Sequence, residues 1–185
     1  MGQAQRLSSL AGIETAIWQE LTRATHDRHH EWRTPVLATT GTDGLPDART
    51  VVLREADADA KQLVVYTDSR ADKVAQLRAQ PAALLVLWSK RLGWQLRCRL
   101  RCEVNDDGLA VSSRWAQVKL SPAAQDYLSP LAPGSLLSAQ TPAVAHRECF
   151  AVVTASVTAI DWLELHREGH RRALFDGVEG HWTQP

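Results

Sequence analysis

Apolar residues recur along this chain at two spacings, and the change from one to the other marks out its elements. Ile13, Ile17, Trp18 and Leu21 fall at helical spacing, which predicts an amphipathic helix from about Ile13 to Arg28 laid as a cover on something apolar. Pro35 to Thr40 and Ala48 to Arg54 read as two strands of a hairpin, because Gly41-Thr-Asp-Gly-Leu-Pro46 between them supplies the dihedrals of a tight connection. A polar loop from Glu55 to Lys61 leads to a third strand, Leu63 to Tyr66, ending at Thr67. Ser69 is placed to cap a helix from about Arg70 to Ala79, which must stop before Pro81 because proline disfavours helical geometry in the residue ahead of it.

The second half is richer in strands. Ala82 to Trp88 is a continuous apolar run of strand length, the pattern of a strand buried on both faces. From Trp94 to Val104 the alternation is strict. Trp94, Leu96, Cys98, Leu100, Cys102 and Val104 share one face, and Gln95, Arg97, Arg99, Arg101 and Glu103 the other. Asp107 to Lys119 reads as a helix, and Ser121-Pro122 as the capped start of another. Ser129 to Pro142 is a connection rich in Pro, Ser and Gly. Phe150 to Ile160, Trp162 to Leu165 and Arg171 to Phe175 return to strand patterns. Roughly six or seven strands with a few interposed helices and no steady strand-helix alternation predict a mainly β, α+β fold, an antiparallel barrel decorated by helices.

Composition narrows the classes of function. The chain of 185 residues is 44% apolar and 23% charged, which suits one domain over 1–185, with about 1–30 as its helical cover. Lys plus Arg and Asp plus Glu are 21 each, so no global positive field draws nucleic acid, and any anion has to be held locally. No run is of membrane-spanning length. The three cysteines have no metal-ligand spacing and no signal peptide opens the sequence, so the expected location is the reducing cytoplasm.

Candidate chemistry concentrates between Arg49 and Arg97. Arg49-Thr-Val-Val-Leu-Arg54, Tyr66-Thr-Asp-Ser-Arg70-Ala-Asp-Lys73 and Trp94-Gln95-Leu-Arg97 each set a cation or an amide at the edge of an apolar strand. There a phosphorylated planar cofactor can meet charge and hydrogen bonds without the core burying them unpaired. This layout suits flavin mononucleotide (FMN).

The order Arg-x-x-x-Leu-Arg, then Tyr-Thr-x-Ser-Arg-x-x-Lys-x-x-x-Leu, then Trp and Gln-x-Arg resembles the pyridoxamine 5'-phosphate oxidase-like family of FMN-binding split barrels. Asp161-Trp-Leu-Glu-Leu, Gly169-His-Arg-Arg172 and a late Trp182 are similar to the family's ending of Trp, His-x-Arg and Trp. The resemblance implies a split barrel in which Arg49 and the strand through Thr50, Val51, Val52 and Leu53 line the flavin. Arg54 lies near the substrate, and Tyr66 and Thr67 face the ring or ribityl chain. It implies that Lys73 binds phosphate, with Arg70 replacing an arginine whose family position is Asp72. Gln95, Trp162 and Arg172 contact the cofactor, and His170 sits near the substrate. It further implies a homodimer with sites at the interface, each using residues of both chains, and a small-molecule substrate. The family's phosphate-gripping arginines fall here at Glu168 and near Lys119 or Leu120, so pyridoxamine phosphate is not the expected substrate.

Two function classes stand side by side. One is an FMN-dependent oxidoreductase in which no protein side chain need act as acid or base; the other is a non-catalytic carrier or sensor that binds flavin or haem. Other chemistry has little support. Arg99 and Arg101 read as a solvated face and His26, His29 and His30 as a solvated helix end with no metal. Cys98 and Cys102 read as buried thiols, and no nucleophile elbow is present.

Overall fold

The computed structural model describes residues 6–137, 149–177 and 179–185. In chain order its strands are β1 (Val36–Thr40), β2 (Pro46–Thr50), β3 (Leu53–Asp57), β4 (Gln62–Asp68), β5 (Ala82–Ser89), β6 (Trp94–Asn105), β7 (Phe150–Glu164), β8 (Arg171–Phe175) and β9 (Gly180–Thr183). They bond in the order β2-β1-β5-β6-β7-β4-β3, with β8 beside the C-terminal part of β7 and β9 beside β8. Every pairing is antiparallel, as the short turns and alternating strands predict.

The inner face of this sheet makes one continuous core. Leu37, Leu53, Leu63, Leu85, Leu87, Leu96, Cys98, Ile160 and Trp162 are nearly or wholly buried there, and α1 (Leu10–His26) closes it with Ile13, Ile17, Trp18 and Leu21. Ser9 starts that helix, its Oγ accepting from Gly12 N at 3.1 Å. A second cluster lies on the outer side of β4 and β7, where Val64, Phe150 and Val152 meet Val111 and Trp115 of α3 (Leu109–Val118) and Tyr127 of the 3-10 helix Pro122–Tyr127. The two faces of β4 and of the first half of β7 are therefore both buried. Among the described residues the outer faces of β1, β5, β6 and β8 have no such cover.

Several elements differ from their sequence patterns. The single strand expected over Ala48 to Arg54 is two, broken at Val51 and Val52, because β2 pairs with β1 while Leu53 turns away to pair with Val65 of β4. β5 is buried on one face only. Leu85 and Leu87 are inside, whereas Leu84 and Val86 are half-buried and Trp88 is exposed. β7 runs unbroken through 15 residues where two strands were expected, and β9 adds a strand beyond the expected Arg171 to Phe175.

The caps and histidines bring further corrections. Ser69 caps nothing: α2 (Asp72–Ala79) starts later, with Ala71 at its N-cap, and Asp68 Oδ1 takes the Arg70 N–H at 2.8 Å in the preceding turn. Ser121 precedes its helix without capping it, its Oγ donating to Val118 O at 2.7 Å. His30 is not solvated. It is 8% exposed, bonds Glu20 through Nε2 at 2.8 Å and accepts the Trp32 N–H through Nδ1 at 3.1 Å. The expected connection from Ser129 to Pro142 is described as far as Leu137; 138–142 lie outside the described residues.

Candidate functional site

The turn that leads from β4 into α2 gathers the first group of candidate residues. Lys73 Nζ donates to Thr67 Oγ1 at 3.1 Å. Burial and the like charge of Arg49 push the Lys73 pKa down, against the pull of Asp68, Asp72 and Asp47. Arg49, on β2, donates to Thr39 Oγ1 at 2.5 Å and to Gln76 Oε1 at 3.0 Å, and pairs with Asp47. Gln76 Nε2 bonds Asp47 Oδ2 at 2.8 Å, and this bond and Arg49 hold the Asp47 pKa down. Arg49 is thus fixed by three side chains, while Lys73 keeps donors to spare. Beside them a cavity of about 620 Å³ opens between the Gly41–Pro46 turn and α2, with Asp47, Asp72 and Gln76 on its wall.

The Lys73 ammonium tests whether these residues suit a phosphorylated cofactor. A half-buried cation with no carboxylate in contact among the described residues, depressed by burial and by a neighbouring arginine, gains from an arriving anion. Phosphate fits. Arg70 is otherwise engaged. Its Nε and Nη2 grip the Asp68 carboxylate at 3.0 and 2.7 Å, and its guanidinium bonds the carbonyls of Ser129, Pro130 and Leu131. It ties the loop after the 3-10 helix to the end of β4.

A second group surrounds Arg54. The β3–β4 register shifts between Leu53 and Glu55, so Arg54 is the extra residue of a bulge, a device that re-aims a side chain. Its guanidinium lies over the Tyr66 ring, 5.6 Å from the centroid, and its Nε is buried with no hydrogen-bond partner among the described residues. Next to it Glu55 accepts from Tyr66 Oη at 2.8 Å and from Arg114 Nε and Nη2 at 2.6 and 2.7 Å. Arg114 holds the Glu55 carboxyl low, and burial, helped by Glu55, raises the Tyr66 hydroxyl.

The third group lies on the uncovered outer face. Gln95 on β6 and Arg172 on β8 both register with Leu163 of β7, one on each side, so they share a face two strand spacings apart, about 10 Å. Asp161 holds Arg172 from two residues along, Nε to Oδ1 at 2.9 Å and Nη2 to Oδ2 at 2.7 Å, and pairs with Arg97 as well. Burial works against the charge of Asp161, but the two arginines win and keep its pKa low. Apolar side chains surround these groups: Val36 and Trp88 are 40% and 45% exposed.

The remaining candidates are dispersed. Trp162 is fully buried, its ring 5.4 Å from that of Trp94 and 6.3 Å from that of Trp182, with Arg171 over both Trp162 and Trp182. Its Nε1 has no partner among the described residues. His170 is exposed in the β7–β8 turn, accepting the His166 N–H at 3.1 Å. Thr50 and Val52 are not buried, and Val51 and Leu53 belong to the core. The structure thus joins Arg49, Thr67 and Lys73 in one place, Arg54 and Tyr66 in a second, and Gln95 and Arg172 in a third. Thr39, Glu55, Gln76, Arg114 and Asp161 were not foreseen, since each matters through a partner on another strand or helix. Among the described residues no cluster of metal ligands occurs, and no helix is long and apolar enough to cross a membrane.

Comparison with known proteins adds three findings. A family model described as pyridoxamine 5'-phosphate oxidase, FMN-binding domain, matches residues 15–106, which takes in Arg49, Lys73 and Gln95. A pyridoxine/pyridoxamine 5'-phosphate oxidase of Caulobacter vibrioides is 28% identical over 162 residues, 80% of this chain and 71% of that protein. Two solved structures share the fold. A pyridoxamine 5'-phosphate oxidase-related, FMN binding protein from Nostoc punctiforme superposes with a TM-score of 0.72 at 23% identity, over 98% of this chain and 100% of that one. PhzG from Burkholderia lata, in complex with tetrahydrophenazine-1-carboxylic acid, does so with a TM-score of 0.77 at 17% identity, over 100% of both.

Proposed function

Since this chain belongs to the pyridoxamine 5'-phosphate oxidase-like family of FMN-binding split barrels, we propose that it binds FMN and works as a flavin-dependent oxidoreductase. The observation that carries the reading is Lys73, a half-buried cation held by one hydroxyl, with no carboxylate in contact among the described residues. Lys73, Thr67 and Arg49 hold the phosphate end. The strand from Thr50 to Leu53, with Tyr66, lines the flavin, and Arg70 shapes the loop at the phosphate end through its carbonyl contacts. When bound, the flavin supplies hydride or electron transfer; the protein supplies orientation and a dry pocket.

The assembly is a homodimer formed through the uncovered face. Half-exposed Trp88 and Val36 call for a cover, and the same face presents Gln95 and Arg172, which would reach the cofactor held by the other copy. Trp162 stands behind them as the wall of the barrel. The substrate is a small molecule other than pyridoxamine phosphate, touched by Arg54 and His170. Glu168, exposed two residues before His170, would repel a phosphate dianion. Buried thiols at Cys98 and Cys102, with pKa values pushed up to about 12 and about 11 by burial, suit a reducing cytoplasm.

Visible absorption of the purified protein and mass spectrometry of what heat releases test the reading. Flavin bands and released FMN are expected; a protein that stays colourless after incubation with FMN overturns it. Oxidation of reduced nicotinamide or of an amine by the loaded protein separates the enzyme from a carrier. A yellow protein inert to both is the carrier.

A further inference from the structure

On the outer face, a cavity of about 290 Å³ is bounded by Arg97, Arg99, Asp161 and Arg172 over a floor that includes Leu84 and Leu174. One carboxylate here serves two guanidiniums. Asp161 takes Arg172 through both of its oxygens, and Arg97 Nε reaches Oδ2 at 3.1 Å from the opposite strand. The Asp161 side chain is 14% exposed, against 34% for Arg172 and 44% for Arg97, so the carboxylate is the buried hub. Two parallel N–H bonds fix the plane of a guanidinium as well as its position.

We infer that Asp161 is a positioning residue for Arg172, and that Arg97 sets the net charge which this cluster presents to the bound flavin. The inference rests on the FMN reading above. By itself the Asp161–Arg172 pair would be neutral, a poor neighbour for an electron-accepting ring. Arg97 restores one positive charge without loosening the bidentate grip. The strand register makes this sharing inevitable: Arg97 stands directly opposite Asp161, and Arg172 is diagonal to it. An apolar floor keeps the local dielectric below that of water, which strengthens the effect of each charge. Two-electron reduction of a flavin with uptake of one proton adds a negative charge, so net positive charge nearby favours the reduced form.

An ion cluster that only tied strands together would respond differently from one that tunes charge. Among the three ion-paired groups Asp161→Asn raises the charge from one to two, whereas Arg97→Ala lowers it to zero, with Arg99 on the cavity wall unchanged in both. The dissociation constants of oxidised and of anaerobically reduced FMN are measured by titration for each variant, beside its melting temperature. A unit change of charge beside the ligand is expected to shift the ratio of these constants roughly tenfold, about 30 mV in a two-electron couple. The ratio is expected to move toward reduced flavin in Asp161→Asn and toward oxidised flavin in Arg97→Ala, with Arg97→Lys returning it to the wild-type value. If Asp161→Asn does not fold, the Arg97 pair decides alone. A ratio that is unmoved, or that moves the same way in both variants, overturns the inference and leaves the flavin reading intact. Wild-type protein that binds no FMN overturns both.

Discussion

Lys73 reaches back to Thr67 across the turn between β4 and α2, its Nζ 3.1 Å from the threonine hydroxyl, and this is the sole hydrogen bond its ammonium makes among the described residues. The cation is costly in the empty protein. Lys73→Met should therefore raise the FMN dissociation constant by roughly 5- to 150-fold, as loss of a charge-assisted contact worth about 1–3 kcal/mol would. The melting temperature of ligand-free protein should hold or rise in the same variant. Fluorescence titration and thermal melts read the two effects separately.

The lowered Lys73 pKa also fixes a pH dependence. Its folded-state value lies below the ordinary 10.5, so the unfolded chain binds this proton more tightly. Ligand-free protein then gains stability from this group as pH rises through the window between the two values. Phosphate binding weakens over the same window as the cation is lost. FMN titrations carried upward in pH toward the ordinary lysine value should show affinity falling in the wild type and staying flatter in Lys73→Met.

Glu164 is the most enclosed carboxylate on β7. It accepts from Arg6 Nε at 2.6 Å, from Arg171 Nε at 2.9 Å and from Trp94 Nε1 at 3.4 Å, and is 6% exposed. Burial opposes its charge, but Arg171 and Arg6 prevail and lower its pKa. A depressed carboxylate contributes stability above its unfolded-state pKa and loses it as pH falls through the folded one. Glu164→Gln should cost about 2 kcal/mol at neutral pH, with the gap to wild type closing as pH falls below the ordinary carboxylate range, as thermal melts at several pH values would record.

Gly93 carries the β5–β6 turn with a φ of 67°, and a Cβ on it would stand 2.7 Å from Leu165 O. Leu165 N bonds Gly93 O at 2.7 Å, so the turn cannot move away without releasing the end of β7. Gly93→Ala combines an unfavourable dihedral with a backbone collision and should cost about 1–3 kcal/mol. Denaturant unfolding would measure it.

The open face predicts an assembly. Sedimentation should find wild-type protein at twice its 20.5 kDa chain mass. Trp88→Glu, at the exposed end of β5, should shift it to monomer with an unchanged circular dichroism spectrum. A monomeric wild type would remove the proposed interface.

Much of the barrel was legible because strand alternation is a local signal. β6 buries Trp94, Leu96, Cys98, Leu100 and Cys102 as its period of two demands. β5 misled for a physical reason: its outer residues Leu84, Val86 and Trp88 are apolar although no helix among the described residues packs over them, Leu84 and Val86 staying half-buried and Trp88 exposed. The strands buried on both faces are β4 and the start of β7, where α3 supplies the lid, and that depends on tertiary packing. The order of motifs singled out Arg49, Lys73 and Gln95 as candidates, but not the company they keep. Glu55 meets Arg114 across 59 positions of sequence and Asp161 meets Arg97 across 64, which no periodicity reveals. His30 looked solvated because its partner, Glu20, lies on another element.

The row of Trp94, Trp162 and Trp182 has a practical consequence. Indoles this close exchange excitation energy, and Trp182 belongs to the edge strand β9 while the other two are buried. Peeling of that edge strand would therefore alter tryptophan emission before the barrel itself opened. The protein carries its own optical gauge of local fraying, readable without any added dye.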